Sequence, residues 1–345
     1  MPDKKIFLRR FYDMHCHFRR GQLLQEVLPE TAKYASYAIV MPNTKPRAIL
    51  TAEDVRQYRD EIEKALGSMP ARPYFEPLMT IQIRDDTTPR VIEDAKKAGV
   101  IAGKVYPIGV TTNAEEGLRE FFNNRISETF QAMQDNGMLL LIHGELDCNR
   151  LLVTKREEYF LHMFQRFPEK FPRLRIVLEH ISTRAAIAMV KQFGNNVAAT
   201  ITAHHLCLTL NDVIEGGTQP HNMCNPVAKD FDDRDALLKA ATSGSPKFFL
   251  GSDTAPHPKE KKECAKGSCG VYTAPVLPQI LAEIFEKEGK LGRLEDFTSR
   301  FGAEFYSLPL DEGKIELVKE QYEVPKQIGS VVPFRAETKL QWTLV

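Results

Sequence analysis

The chain has 345 residues, 43% hydrophobic and 27% charged, and its 46 basic and 46 acidic side chains cancel to a net charge of zero. This composition fits a globular protein with a sizeable core and offers none of the basic surplus that nucleic acid or an anionic membrane surface would select. No apolar run approaches the roughly 20 residues that cross a bilayer, and the N-terminal "MPDKKIFLRRF" lacks the apolar centre of a secretory signal.

In chain order, eight short apolar runs read as strands: "FYDMHCH", "YAIVMPN", "YFEPLMTI", "VIAGKVYP", "MLLLIHGE", "LRIVLEHI", "VAATITAHH" and "KFFLGSD". They are apolar on both faces, as strands covered on both sides must be. Helical patterns lie between most of them. In "TAEDVRQYRDEIEKALG", Thr51 suits the N-cap and Gly67 the C′ position; in "STRAAIAMVKQFG", Ser182 or Thr183 caps and Gly194 stops. Strand–helix alternation eight times over predicts a closed (β/α)8 TIM barrel, spanning about residues 8–305. From about residue 306 the pattern changes to short β-like pieces, which predicts a C-terminal extension packed on the barrel within one domain. Two long irregular connections stand out, through "NDVIEGGTQPHNMCNPVAKD" and "KEKKECAKGSCG", and long loops in compact domains are usually functional. The six cysteines are scattered, and the Cys264–Cys269 spacing is not that of a zinc finger, which predicts free thiols in a reducing cytoplasm.

The unusual polar residues fall at strand ends. His15 and His17 end the first strand, with Arg19 two positions further; side chains two apart on a strand share a face. Asn43 ends the second, His143 the fifth, His180 the sixth and Asp253 the eighth, while Lys104 lies inside the fourth. The C-terminal strand ends of such barrels carry catalysis, so these groups are expected to converge. Four histidines and an aspartate supply ligands suited to Zn²⁺. An ammonium in an apolar strand is costly unless paired, and burial favours the neutral amine. Lys104 therefore has two readings: an ordinary buried lysine–acid pair, or a neutral amine that adds CO₂ to become a metal-bridging carbamate. His162 reads as a helix-face residue, and His204, His205 and His221 lie near the mouth without an assigned role.

Taken together, "DMHCHFR", "VMPNTKP", "GKVYP" followed by "GVTTN", "LIHGE", "LEHI" and "LGSDTAPH" closely resemble the dihydroorotases, in particular the shorter, bacterial-type class of the amidohydrolase superfamily. The resemblance runs from about residue 8 to residue 305, in matching order and spacing. It implies reversible cyclisation of N-carbamoyl-L-aspartate to L-dihydroorotate, a step of pyrimidine synthesis, with two zinc ions per chain. By that resemblance His15, His17, a carboxylated Lys104 and Asp253 hold the more buried zinc, and the Lys104 carbamate, His143 and His180 the second. Asp253 shuttles the proton, and Arg19, Asn43 and His257 bind the substrate carboxylate. The resemblance also places Asn222 and Cys269 against the substrate through their backbones, and implies a homodimer. The loop "PIGVTTNAEEG", bracketed by Gly109 and Gly117, reads as a lid closing through Thr111 and Thr112, the alternative being a plain turn with Asn113 capping the next helix. The competing readings are a hydantoinase-like cyclic amidohydrolase, which would not need the carboxylate clamp of Arg19, Asn43 and His257, and an inactive scaffold barrel, which would not need two metals.

Overall fold

A computed structural model describes residues 4–110, 116–146 and 150–345. Thirteen strands occur among these residues: β1 (Lys5–Arg9), β2 (Phe11–Cys16), β3 (Ala35–Val40), β4 (Glu76–Ile83), β5 (Ala102–Val105), β6 (Leu139–His143), β7 (Ile176–Glu179), β8 (Val197–Ile201), β9 (Phe248–Leu250), β10 (Lys314–Val318), β11 (Tyr322–Glu323), β12 (Lys339–Leu340) and β13 (Thr343–Leu344). The eight strands β2 to β9 pair in sequence order, all parallel, with helical connections over the outer face. The ends meet just beyond β9, where the Asp253 amide donates to the His15 carbonyl (2.9 Å) and the His17 amide to the Thr254 carbonyl (3.0 Å). The predicted TIM barrel is therefore the observed fold.

The apolar runs divide into two cores because the strands are covered on both faces. Phe11, Ile81, Val105, Leu140, Ile142 and Leu178 join the large core under the helices. Tyr12, Met14, Ile39, Leu78, Ala102, Leu141, Val177 and Phe249 fill the barrel interior. Phe301 and Tyr306 join that interior cluster, and Tyr12 Oη donates to the Pro309 carbonyl at 2.6 Å, closing the barrel end opposite the histidines.

Local signals decide the helices. Thr51 caps Ala52–Gly67 with a reciprocal box, its Oγ1 accepting the Asp54 amide (3.2 Å) while the Asp54 carboxylate accepts the Thr51 amide (2.9 Å). Gly67 is not at C′, as expected, but is the last helical residue, and Ser68 follows at φ −87°. Thr183 caps Arg184–Gln192. The predicted strand "VAATITAHH" stops at Ile201, because Thr202 accepts the His205 amide and caps a short helix, Ala203–Cys207. The unexpected strand β1 pairs antiparallel with β10, which also pairs with β13. Trp342 from the C-terminal segment is fully buried, its Nε1 donating to Glu286 at 3.1 Å. No helix among the described residues is long and apolar enough to cross a membrane.

Candidate active site

His15 and His17 reach the barrel mouth through an irregularity. The β2–β3 register shifts between Asp13 and Cys16, so Tyr12 and Met14 below the shift and His15 and His17 above it all turn inward. Simple strand alternation does not carry Arg19: β2 ends at Cys16, and Arg19 is aimed by its own backbone at φ +61°. His180 (φ +41°) and Asp253 (φ +44°) are also left-handed. Three such residues, each just past a barrel strand, store strain of about 1–3 kcal/mol apiece where the chain must turn sharply toward the centre. Gly251 supplies the room, since a Cβ there would meet Thr200 at 2.7 Å and His15 at 3.0 Å.

One narrow cleft is lined by His15, His17, Arg19, Asn43, Tyr106, His143, His180, Asn225, Asp253, Ala255, Cys269 and Gly270. His15 and His17 approach through their Nε2 atoms (3.2 Å), and Asp253 Oδ1 lies 3.3 Å from the first and 3.1 Å from the second. Burial opposes ionisation of Asp253, yet His15 and the hydrogen bonds from both histidines hold its carboxyl well below the usual range. Burial pulls His17 down to about 3. His180, buried beside His143 and Lys104, is also held neutral, and among the described residues its Nδ1 has no hydrogen-bond partner.

Lys104 is fully buried and pairs with Glu179, whose Oε2 also lies 2.7 Å from His15 Nδ1. Burial lowers the lysine's pKa, with Glu179 opposing. The lysine–acid pair open at the sequence level is thus present, and Glu179, standing in "LEHI" beside His180, is the participant that sequence reasoning missed. Its signal was a carboxylate at an inward strand position. His143 is in the cleft, but its Nε2 contacts Glu145 Oε2 at 2.8 Å. Among the described residues, two buried donor groups lie near the centre: His15, His17 and Asp253, and His15, Glu179 and His180. His143 stands outside both, its Nε2 engaged with Glu145 instead.

Arg19, which also lines the cleft, donates to the neutral His257 (3.1 Å) and to the Pro256 carbonyl (3.1 Å). Burial followed by the Arg19 charge lowers His257 to about 2. Asn222 is not among the lining residues: it ends a turn, Pro220–Asn222, and its side chain donates to the Asp212 carbonyl (2.9 Å). Asn225, three residues on, lines the cleft instead and donates to the Val110 carbonyl at 3.2 Å. Thr111, Thr112 and Asn113 lie outside the described residues. At the far base of their loop Gly117 gives no hinge freedom. A Cβ there would meet the Tyr106 carbonyl at 2.5 Å, and the adjoining Leu118 amide donates to that carbonyl at 2.8 Å. The next helix begins at Asn124 and is capped by Asn123, not Asn113. His162 is exposed on its helix, and His221 contacts Glu263 at 2.9 Å. His204 and His205 are buried with Cys224, and His205 is held between Thr202 Oγ1 (2.8 Å) and the Pro226 carbonyl (2.9 Å). The five described cysteines are free thiols.

No family model matches the chain. Curated relatives do. A dihydroorotase of Vibrio cholerae is 44% identical over 340 residues, covering 96% of this chain and 97% of its own length, and one of Shewanella pealeana is 43% identical over 336 residues, covering 96% of both. The chain belongs to the dihydroorotase family. Solved dihydroorotases agree: that of Campylobacter jejuni aligns with TM-score 0.90 at 35% identity over 100% of this chain and 98% of its own. The Saccharomyces cerevisiae dihydroorotase, determined in complex with 5-fluoroorotic acid, aligns with TM-score 0.90 at 34% identity over 99% of both chains. Membership makes this chain a metal-dependent cyclic amidohydrolase.

Proposed function

We propose that the cleft interconverts N-carbamoyl-L-aspartate and L-dihydroorotate, and that Asp253 is the proton carrier. The observation that carries this reading is that one cleft is lined both by Asp253 with His15 and His17 and by Arg19, whose guanidinium is held by His257. Arg19 is half-buried, and its close partners are a carbonyl and a neutral imidazole. A guanidinium in that setting is well placed to take a carboxylate bidentately, and Asn43 adds a polar side chain to the same cleft. Ring opening requires a proton to leave the attacking water and reach the departing ring nitrogen. Asp253, ionised and pinned by two imidazoles, accepts it on one face and returns it on the other.

The residues present fit a metal centre: the donor atoms of His15, His17 and Asp253 lie within 4.8 Å of one another, and His180 offers a buried neutral imidazole with a nitrogen that has no partner among the described residues. His15, His17 and Asp253 would hold one zinc, and Lys104 as its carbamate with His143 and His180 a second, each supplying Lewis-acid polarisation of the amide and a more acidic water. The lowered pKa of Lys104 supports the carbamate, and Glu179 must then release the amine. His143 must likewise exchange its contact with Glu145. A homodimer in the cytoplasm completes the reading, and sedimentation of the purified protein tests the dimer. The function is tested by absorbance in the dihydroorotate band, where turnover should vanish with a chelator and return with zinc; no turnover in either state would refute the reading.

A further inference from the structure

The basic loop "KEKKECAKGSCG" looks like solvated surface, but one of its lysines is not. The short helix Lys259–Lys262 turns Lys262 inward until the residue is only 4% exposed, while Lys261 stays out. Lys262 Nζ donates to the Gly270 carbonyl and reaches the Met223 carbonyl at 3.5 Å, which also accepts the Gly270 amide at 2.8 Å. One ammonium therefore ties together both irregular connections singled out in the sequence. The tie lies directly behind the cleft, since Cys269 and Gly270 line it from one segment and Asn225 from the other. Gly270 is held at φ +147°, where a Cβ would strike the Ala255 carbonyl and lie 3.1 Å from the His257 ring.

Buried charges are ordinarily paired with an opposite charge. Among the described residues no carboxylate pairs with Lys262; its titratable neighbours are the thiols Cys269 and Cys224, which burial keeps protonated, and the cation Arg19. Two carbonyls solvate the ammonium but do not neutralise it. We propose that Lys262 is a positioning residue for the substrate carboxylate: it fixes the Met223 and Cys269–Gly270 main chain and adds a second fixed cation behind the wall where Arg19 and His257 bind the anion. The inference rests on the functional reading above, and the missing counter-charge is the substrate itself. Burial lowers the Lys262 amine to about 8, so it remains mostly a cation at neutral pH.

The test uses the metal-loaded enzyme. Lys262→Met keeps bulk and removes charge and donor; Lys262→Gln keeps a donor without the charge. Loss of fixed charge from a site that binds ground state and transition state alike should raise KM about tenfold or more for both dihydroorotate and N-carbamoyl-aspartate, with kcat within about threefold and metal content unchanged. The Kd for 5-fluoroorotate should rise in step. KM and Kd within twofold of wild type in Lys262→Met overturn the proposal, and a wild-type Kd in Lys262→Gln reduces the residue to a strut. If neither variant folds, amine labelling of the wild type decides. Saturating 5-fluoroorotate should slow labelling of Lys262 severalfold while exposed Lys261 is unaffected, and an unchanged rate overturns it. Wild-type enzyme that leaves dihydroorotate intact sinks the functional reading; active wild type with unaffected variants sinks only the role of Lys262.

Discussion

Glu179→Gln is the perturbation that separates a supporting carboxylate from a bystander. Glu179 is buried, and a single oxygen serves both Lys104 and His15 Nδ1. By occupying Nδ1 it leaves His15 Nε2 directed at His17 and Asp253. Carboxylates that hold a ligating histidine in this way typically contribute 10- to 100-fold in metal affinity, equivalent to about 1.4–2.7 kcal/mol. The glutamine still accepts from one partner but removes the charge and strands Lys104. Breaking one side of a buried pair costs about 3–5 kcal/mol. Lys104 can shed its proton, since burial already favours the amine, so the lower end is expected, a fall in Tm of roughly 6 °C for the metal-free protein at about 2 °C per kcal/mol. Competition with a graded chelator reads the affinity and calorimetry of the metal-free protein reads the stability. Wild-type metal affinity in Glu179→Gln would show that His15 is oriented by the barrel alone, and the reasoning would fail.

Lys104→Ala should lose bound metal and activity together, read by plasma emission spectroscopy; full metal occupancy would exclude the carbamate bridge. Asp253→Asn should lower kcat by at least about a hundredfold, the range of a lost general acid–base group, and weaken substrate binding far less, as steady-state kinetics and 5-fluoroorotate titration would show. Arg19→Met should raise KM for dihydroorotate by about tenfold or more with metal content near normal, and a ring analogue without the carboxylate should be a poor wild-type substrate; equal turnover of that analogue favours the hydantoinase-like reading. The pH dependence of stability has a defined sign at His205, which burial lowers to about 4 from 6.5. Below 6.5 the unfolded chain takes a proton that the folded one refuses, so stability present above pH 6.5 is lost as pH falls toward 4. For a depression of about 2.5 units this contribution is about 3 kcal/mol. Denaturant titrations of wild type and His205→Asn at pH 7 and 4.5 should show a shallower pH slope in the variant, and identical slopes would refute the assignment.

The eight strands, their order and the strand-end positions of His15, His17, His143, His180 and Asp253 were legible in the sequence, because apolar runs covered on both faces and capped helices such as the one after Thr51 are local patterns. The resemblance to dihydroorotases was legible for the same reason, being carried by short motifs in fixed order. What the tertiary structure decided is everything set by pairing across distance. The register shift in β2 turns both histidines inward where alternation alone would have placed Met14 and His15 on opposite faces. Glu179 meets Lys104 and His15 only when β2, β5 and β7 surround one interior. Gly117, which reads as a hinge, is a close-packing position against the Tyr106 carbonyl. Asn225 rather than Asn222 lines the cleft because a turn at Pro220 sends the latter to Asp212. A lysine in a run of lysines carries no local mark of burial; Lys262 is distinguished only by the two loops that close over it.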